Sequence, residues 1–189
     1  MLSLNPSESQ IKRGFELFRR VCSKCHSLTL FKPAYLKQLG YTTNQALMLT
    51  GTHKLTEPLP LTNNIVLKTA KGAMPPDLSL ITKQTKHNFV YRLLTGYRPK
   101  VLSNKAYFNK TSQSGVTTMP PPFVAGSIKH MFKVPLTVSQ YAKDVEAFLL
   151  WVSEPWKDIR LRIAFPVIVM FTLLTIPLLW LNPTAGSPC

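Results

Sequence analysis

Val21-Cys22-Ser23-Lys24-Cys25-His26 gathers more reactive chemistry into six residues than any other part of the chain. Two thiols three positions apart, followed at once by an imidazole, form the Cys-x-x-Cys-His attachment signature of c-type haem. The thiols can bond the two vinyl groups on one porphyrin edge, and His26 then lies under the iron as its proximal ligand. A zinc site would use the same cysteines with two further ligands at close spacing. The other candidates, His53, His87, His130 and Cys189, are scattered and none forms a second pair. A redox dithiol belongs in an alternating strand and helix pattern, and none is evident. One covalently attached haem c is the expected cofactor. The rival from another functional class is a zinc-stabilised membrane interaction protein.

Iron held by one histidine needs a second axial group to shuttle electrons without binding oxygen. Met48, Met74, Met119, Met131 and the other histidines are the candidates. A thioether stabilises ferrous iron and raises its potential. Met74-Pro75-Pro76 and Met119-Pro120-Pro121-Pro122 stand out, because prolines stiffen the loop that would present the ligand. On the residues alone the two methionines are nearly equal, and core packing is the alternative for either.

These residues must be positioned by a small, mostly helical framework. Ser7 and Gln10 fit a capping box, and Ile11, Phe15, Phe18 and Cys22 then share one helix face that leads to the attachment motif. Lys12, Arg13, Arg19 and Arg20 are expected largely elsewhere on the surface. A second helix is expected from about Val138 to Ser153, with Thr137 and Gln140 as its box. Tyr141, Val145, Phe148, Leu149 and Val152 form its core stripe, and Pro155 ends it. A shorter helix covers Asn88 to Thr95, closed by Gly96. The connections read as loops, with proline turns in Leu55 to Asn64, Met74 to Asp77 and Met119 to Phe123.

Ile163 to Leu181 holds 19 residues without a charge. As a helix this run matches a hydrocarbon thickness of roughly 30 Å. Pro166 and Pro177 are expected near its ends, and Trp180 at an interface. Residues 1–156 are therefore read as a haem domain and 157–189 as a membrane anchor with a short tail. Residues 1–20 lack a continuous apolar stretch and read as a mature helix rather than a leader. Lys157, Arg160 and Arg162 flank the span, and the tail has no basic residue. The positive-inside rule would then keep the large domain inside, whereas haem attachment argues for the other side; the haem governs, since large domains cross regardless of charge.

The net charge is +15 over 189 residues, with all 23 Lys and Arg before position 163. Such a field suits an acidic protein or anionic lipid headgroups. Nucleic acid is not an expected partner, because no recognised module appears and the basic residues are spread. Cys189 is read as an inert terminal thiol.

Several ordered segments together resemble the cytochrome c1 family, the haem subunit of the quinol–cytochrome c oxidoreductase (complex III, the cytochrome bc1 complex). They are Lys12-Arg13-Gly14 leading into Val21 to Ser27, then Gly72 to Ser79 (GAMPPDLS), Val90 to Tyr97 (VYRLLTGY), Met119-Pro120-Pro121, and Ser139 to Pro155 (SQYAKDVEAFLLWVSEP). The resemblance implies a mainly α, class-I-like cytochrome c domain with proline-rich loops and one C-terminal transmembrane helix. It implies that Cys22 and Cys25 bind haem covalently and that His26 and Met119 coordinate iron. Met74 would only line the pocket, and Pro75 and Pro76 would pack against the haem edge.

The resemblance further implies a subunit of quinol–cytochrome c reductase that is itself an electron carrier, with no catalytic residues of its own. It would take single electrons from the Rieske iron–sulfur protein and pass them to soluble cytochrome c. The partners would be cytochrome b, other complex III subunits and membrane lipids, in a dimeric complex. The site would be the mitochondrial inner membrane, with the haem domain facing the intermembrane space; a bacterial plasma membrane with a periplasmic domain is the alternative. A membrane-tethered c-type cytochrome serving another oxidase or reductase is the alternative function.

The chain departs from the family pattern at four places. The amino terminus and the segment between His26 and Gly72 are short, and the tail after the span is nearly absent. No arginine comes shortly after Pro75-Pro76-Asp77-Leu78-Ser79 to meet a haem propionate, only Lys83 and Lys86. Either lysine could serve as a point charge without the guanidinium fork. The soluble part is basic where the family is typically acidic.

Overall fold

The computed structural model describes residues 6–59, 75–101, 106–128 and 134–181. Among them, in chain order, are α1 (Glu8–Arg20), a 3-10 turn (Cys22–Lys24), a 3-10 helix (Pro33–Leu39), α2 (Thr43–Thr50), α3 (Ile81–Gln84) and α4 (Phe89–Thr95). There follow β1 (Tyr97–Val101), β2 (Tyr107–Asn109), β3 (Val116–Thr117), α5 (Val138–Ser153) and α6 (Lys157–Leu181). The chain divides into two compact units, Met1–Ser153 and Glu154–Cys189.

The main packing contact of the first unit is between α1 and α5. Ile11, Phe15 and Phe18 point into the core as their spacing predicts, and Tyr141, Val145, Phe148, Leu149 and Val152 do so from α5. Phe15 and Phe18 lie 5.5 and 5.7 Å, centroid to centroid, from Phe148. Each buried phenylalanine contributes about 1.5–3 kcal/mol. Gly14 sits at the crossing, where a Cβ would fall onto the Asp144 carbonyl oxygen and lie 2.6 Å from Phe148 Cβ. Any larger residue there would force the helices apart.

Arg13 departs from the expected surface position. It is buried, and its Nε and Nη2 donate to Asp144 Oδ2 and Oδ1 at 2.8 and 2.9 Å. Asp144 is fully buried on α5, and a charge there is tolerated only when paired and hydrogen-bonded. The same network corrects the expected capping boxes, which form only by half. Ser7 and Thr137 accept the backbone N–H of Gln10 and Gln140. The glutamine side chains turn elsewhere: Gln140 Nε2 donates to Asp144 Oδ1 at 2.9 Å, and Gln10 Nε2 to the Lys143 carbonyl at 3.3 Å. Helix contacts outcompeted the local cap.

The region expected as loop between α4 and α5 holds a three-stranded antiparallel sheet, in the order β1-β2-β3. Tyr97 pairs with Asn109 and Phe108 with Val116. Pro99 is accommodated because β1 is an edge strand, where a missing N–H leaves no partner orphaned. Buried Asn109 ties the sheet to α4, donating from Nδ2 to the Leu93 carbonyl at 2.8 Å and accepting at Oδ1 from the Thr111 N–H at 2.9 Å. The sequence reading did not place α2 either, although Thr42 and Gln45 form a complete, reciprocal capping box at its start.

In the second unit, Ile159–Trp180 is the stretch long and apolar enough to cross a membrane, and none of it is buried. The helix begins at Lys157, earlier than the charge-free run, so Pro166 falls in its interior rather than near an end. Thr172 and Thr175 satisfy local carbonyls by donating to Ile168 and Phe171 at 2.8 and 2.9 Å.

Candidate haem site

α1 ends at Arg20, and the 3-10 turn that follows is closed by backbone N–H groups of Cys25 and His26, which both donate to the Cys22 carbonyl at 3.0 and 2.8 Å. Ser23 anchors this turn to the helix, its hydroxyl donating to the Arg19 carbonyl at 2.6 Å. The turn places the two thiols differently. Cys22 is half-buried against the core, Cys25 is exposed, and neither is in a disulfide. Burial pushes the Cys22 thiol up to about 12. That keeps the free thiol protonated, unlike an attacking dithiol. Among the described residues no group of three or more His, Cys, Asp or Glu is placed to hold a metal ion.

His26 is fixed by a residue fifty positions away. Its Nδ1 lies 2.8 Å from the Pro76 carbonyl oxygen, and a donor is needed there because the carbonyl can only accept. The tautomer with the proton on Nδ1 leaves the Nε2 lone pair free for a metal. The structure thus brings His26 and the Pro75-Pro76 segment together; Pro75 is half-buried and Pro76 exposed.

Asp77 clasps the two strands of this site. Its Oδ2 accepts from the Ser27 hydroxyl at 2.6 Å and the Thr29 N–H at 2.8 Å, and its Oδ1 from the Ser79 N–H at 2.9 Å. Leu78 N–H donates to the Ser27 carbonyl at 3.0 Å, and Leu30 N–H to Ser79 Oγ at 3.1 Å. Burial raises the Asp77 pKa, but the hydrogen bonds from Ser27, Ser79 and Thr29 outweigh it and hold the carboxyl below its ordinary value. The sequence reading missed this clasp. Its signal was an acid two residues before a serine, the pattern of an Asx turn.

Met119 arrives separately, half-buried and packed against the core. Its N–H donates to Thr117 Oγ1 at 3.2 Å, and its carbonyl accepts the Tyr97 hydroxyl at 3.0 Å. Burial pushes the Tyr97 phenol up to about 12, so it remains a donor across physiological pH. Met48 is exposed, as are His53 and His87; Met74, Met131 and His130 lie outside the described residues. Lys83 and Lys86, weighed as propionate partners, are both exposed.

Glu146 is a second group that sequence reasoning passed over, taking its helix as plain core. It is 2% exposed and its Oε2 has no partner. Burial pushes its carboxyl up to about 7, against the pull of the Tyr91 N–H and the Arg92 charge on α4.

Residues 6–59 and 49–186 match the model of the Cytochrome C1 family. The chain is 32% identical over 191 residues to "Cytochrome c1 1, heme protein, mitochondrial" of Arabidopsis thaliana, covering 87% of this chain and 62% of that protein. It is equally similar to "Cytochrome c1-2, heme protein, mitochondrial" of Solanum tuberosum, covering 74% of it. It is 30% identical over 208 residues to "Cytochrome b-c1 complex catalytic subunit, mitochondrial" of Candida albicans, covering 95% of this chain and 72% of the relative. The chain thus spans between three-fifths and three-quarters of the length of these curated relatives.

Proposed function

Because the chain belongs to the cytochrome c1 family, we propose that it carries one covalent haem c and acts as the electron-transfer subunit of a cytochrome bc1 complex. The observation that carries this reading is the bond from His26 Nδ1 to the Pro76 carbonyl at 2.8 Å, on a turn with both cysteines. That orientation is what an iron-ligating imidazole requires and what a solvated histidine does not. The donor set fits the group: two thiols one turn apart, an imidazole with Nε2 free, and a thioether on a proline-stiffened loop.

Haem c supplies a couple of ferric and ferrous iron that takes and gives single electrons. The residues of the chain do the rest. Cys22 and Cys25 fix the group by thioether bonds. His26 is held in one tautomer by Pro76, which also raises its basicity as a ligand. Met119 would supply a thioether to the iron, which favours the reduced state. Pro75 and Pro76 would line the group beside His26 and limit water there. Exposed Lys83 or Lys86 would meet a propionate only as a point charge.

Residues 157–189 serve as a single-pass anchor in the mitochondrial inner membrane, with the haem domain in the intermembrane space. Cytochrome b and the Rieske iron–sulfur protein lie beside it in a dimeric complex III with other subunits, and a soluble cytochrome c receives the electron. The test is the absorption spectrum of the purified membrane protein. A reduced α-band that survives acid–acetone extraction is expected, with cytochrome b copurifying. Colourless protein would contradict the proposal.

A further inference from the structure

We propose that the surface around Cys25, Pro76 and the Met119 loop docks an acidic soluble electron-transfer protein. This rests on the chain being a haem electron carrier and adds the charge of its acceptor.

The argument begins with how the charges are distributed. Of the eight acidic residues, six lie in or beside the terminal helices, at positions 8, 16, 144, 146, 154 and 158. Residues 17–143, which contribute every site residue, contain eighteen Lys and Arg and only Glu57 and Asp77. Both acids are engaged internally: Glu57 accepts from the His53 N–H at 3.1 Å, and Asp77 takes three donors. From 78 to 143 there is no acid at all, against ten basic residues, and this stretch carries Met119. Arg19 and Arg20 pair with Glu16, but the remaining excess is of one sign, and such a field attracts a partner of the other sign and repels its own.

Each of the two segments that supply the site residues also exposes apolar side chains of the kind a brief redox contact uses. Leu30 is 56% exposed, and its N–H is bonded to Ser79, within the clasp that holds Pro76. Pro76, Pro120 and Pro121 are exposed as well. Lys24 is exposed between the two cysteines, and Lys32 two residues beyond Leu30. Lys86 is exposed just past α3, and Arg98 beside Tyr97, whose hydroxyl holds the Met119 carbonyl. Exposed apolar residues with lysine and arginine close by in the chain suit a weak, fast complex at the low end of interface size. One electron would pass, oxidising this chain and reducing the acceptor, with no bond or proton exchanged.

The test uses the full haem-loaded chain in detergent, chemically reduced and mixed with two soluble oxidised c-type cytochromes, one acidic and one basic. The bimolecular rate is followed against ionic strength. The rate to the acidic acceptor should fall roughly tenfold between low and physiological salt, and the rate to the basic one should rise. Lys32→Glu with Lys86→Glu should slow the acidic acceptor several-fold at low salt. A faster reaction with the basic acceptor, or rates indifferent to salt, would overturn the proposal. So would the double variant keeping its acceptor kinetics while losing sedimentation with phosphatidylserine vesicles, which would assign the surface to lipid. A chain without a reducible band would instead fail the parent reading before any mixing.

Discussion

His26 and Met119 are held by different means. His26 follows a short turn braced by Ser23 to α1, and its ring is set by Pro76 across a clasp in which Asp77 alone accepts three hydrogen bonds. Behind it α1 is locked to α5 by the buried Arg13–Asp144 pair and by aromatic packing. Met119 is fixed through its backbone by Thr117 and Tyr97, next to exposed prolines and a sheet of short strands. On the proposed haem reading this is a division of labour: a firmly braced histidine side, and a lightly tethered thioether side on which small changes would tune the potential.

Breaking the rigid side at its root gives the largest expected effect. Asp144→Ala removes the buried carboxylate that takes two hydrogen bonds from Arg13 and should cost about 3–5 kcal/mol. Denaturant unfolding would measure this, and a loss under 1 kcal/mol would mean the α1–α5 lock is not what holds the turn. Next is Glu146, which loads the other side through α4. Its folded pKa near 7 lies above the ordinary carboxyl value, so its ionisation costs stability progressively as pH rises from about 4.5 through 7. Glu146→Gln should therefore leave stability unchanged at pH 4 and raise it by about 2–3 kcal/mol at pH 8. Equal stability of the two proteins at pH 8 would remove Glu146 from the account.

The clasp sharpens the comparison further. Asp77→Asn should cost about 1–2 kcal/mol, since the carboxylate is partly exposed. Its pKa is lowered on folding, so the difference is full at neutral pH and disappears as pH falls through the folded value. The variant should also shift the midpoint potential, because the carbonyl facing His26 moves with the clasp. The smallest effect belongs to Tyr97→Phe, which removes one hydrogen bond to Met119 and should cost about 1 kcal/mol. Carbon monoxide binding to the reduced protein should become faster, whereas Asp77→Asn should leave it slow. The reverse ranking would mean the two sides had been exchanged.

What could be read in the sequence follows the reach of the interactions. α1 and α5 carry apolar periodicity within one segment, α6 an unbroken apolar run, and the attachment turn is defined by spacing within six residues. The sheet is built from strands of two to five residues, one containing Pro99, and each is too short for alternation to register. Arg13 looked like a surface charge because its partner lies 131 positions away. Met74 and Met119 have the same local signature, so only the resemblance separated them; Met74 lies outside the described residues. Asp77 and Glu146 act through partners on other elements, which composition and spacing do not reveal.

The central claim is that sulfur from Met119 and nitrogen from His26 hold one iron between them. The direct measurement is proton NMR of the reduced protein with methyl-labelled methionine. One methionine methyl should be shifted far upfield by the porphyrin ring current, persisting in Met74→Ala and vanishing in Met119→Ala. A shifted methyl that survives Met119→Ala, or none in the parent protein, would contradict the assignment.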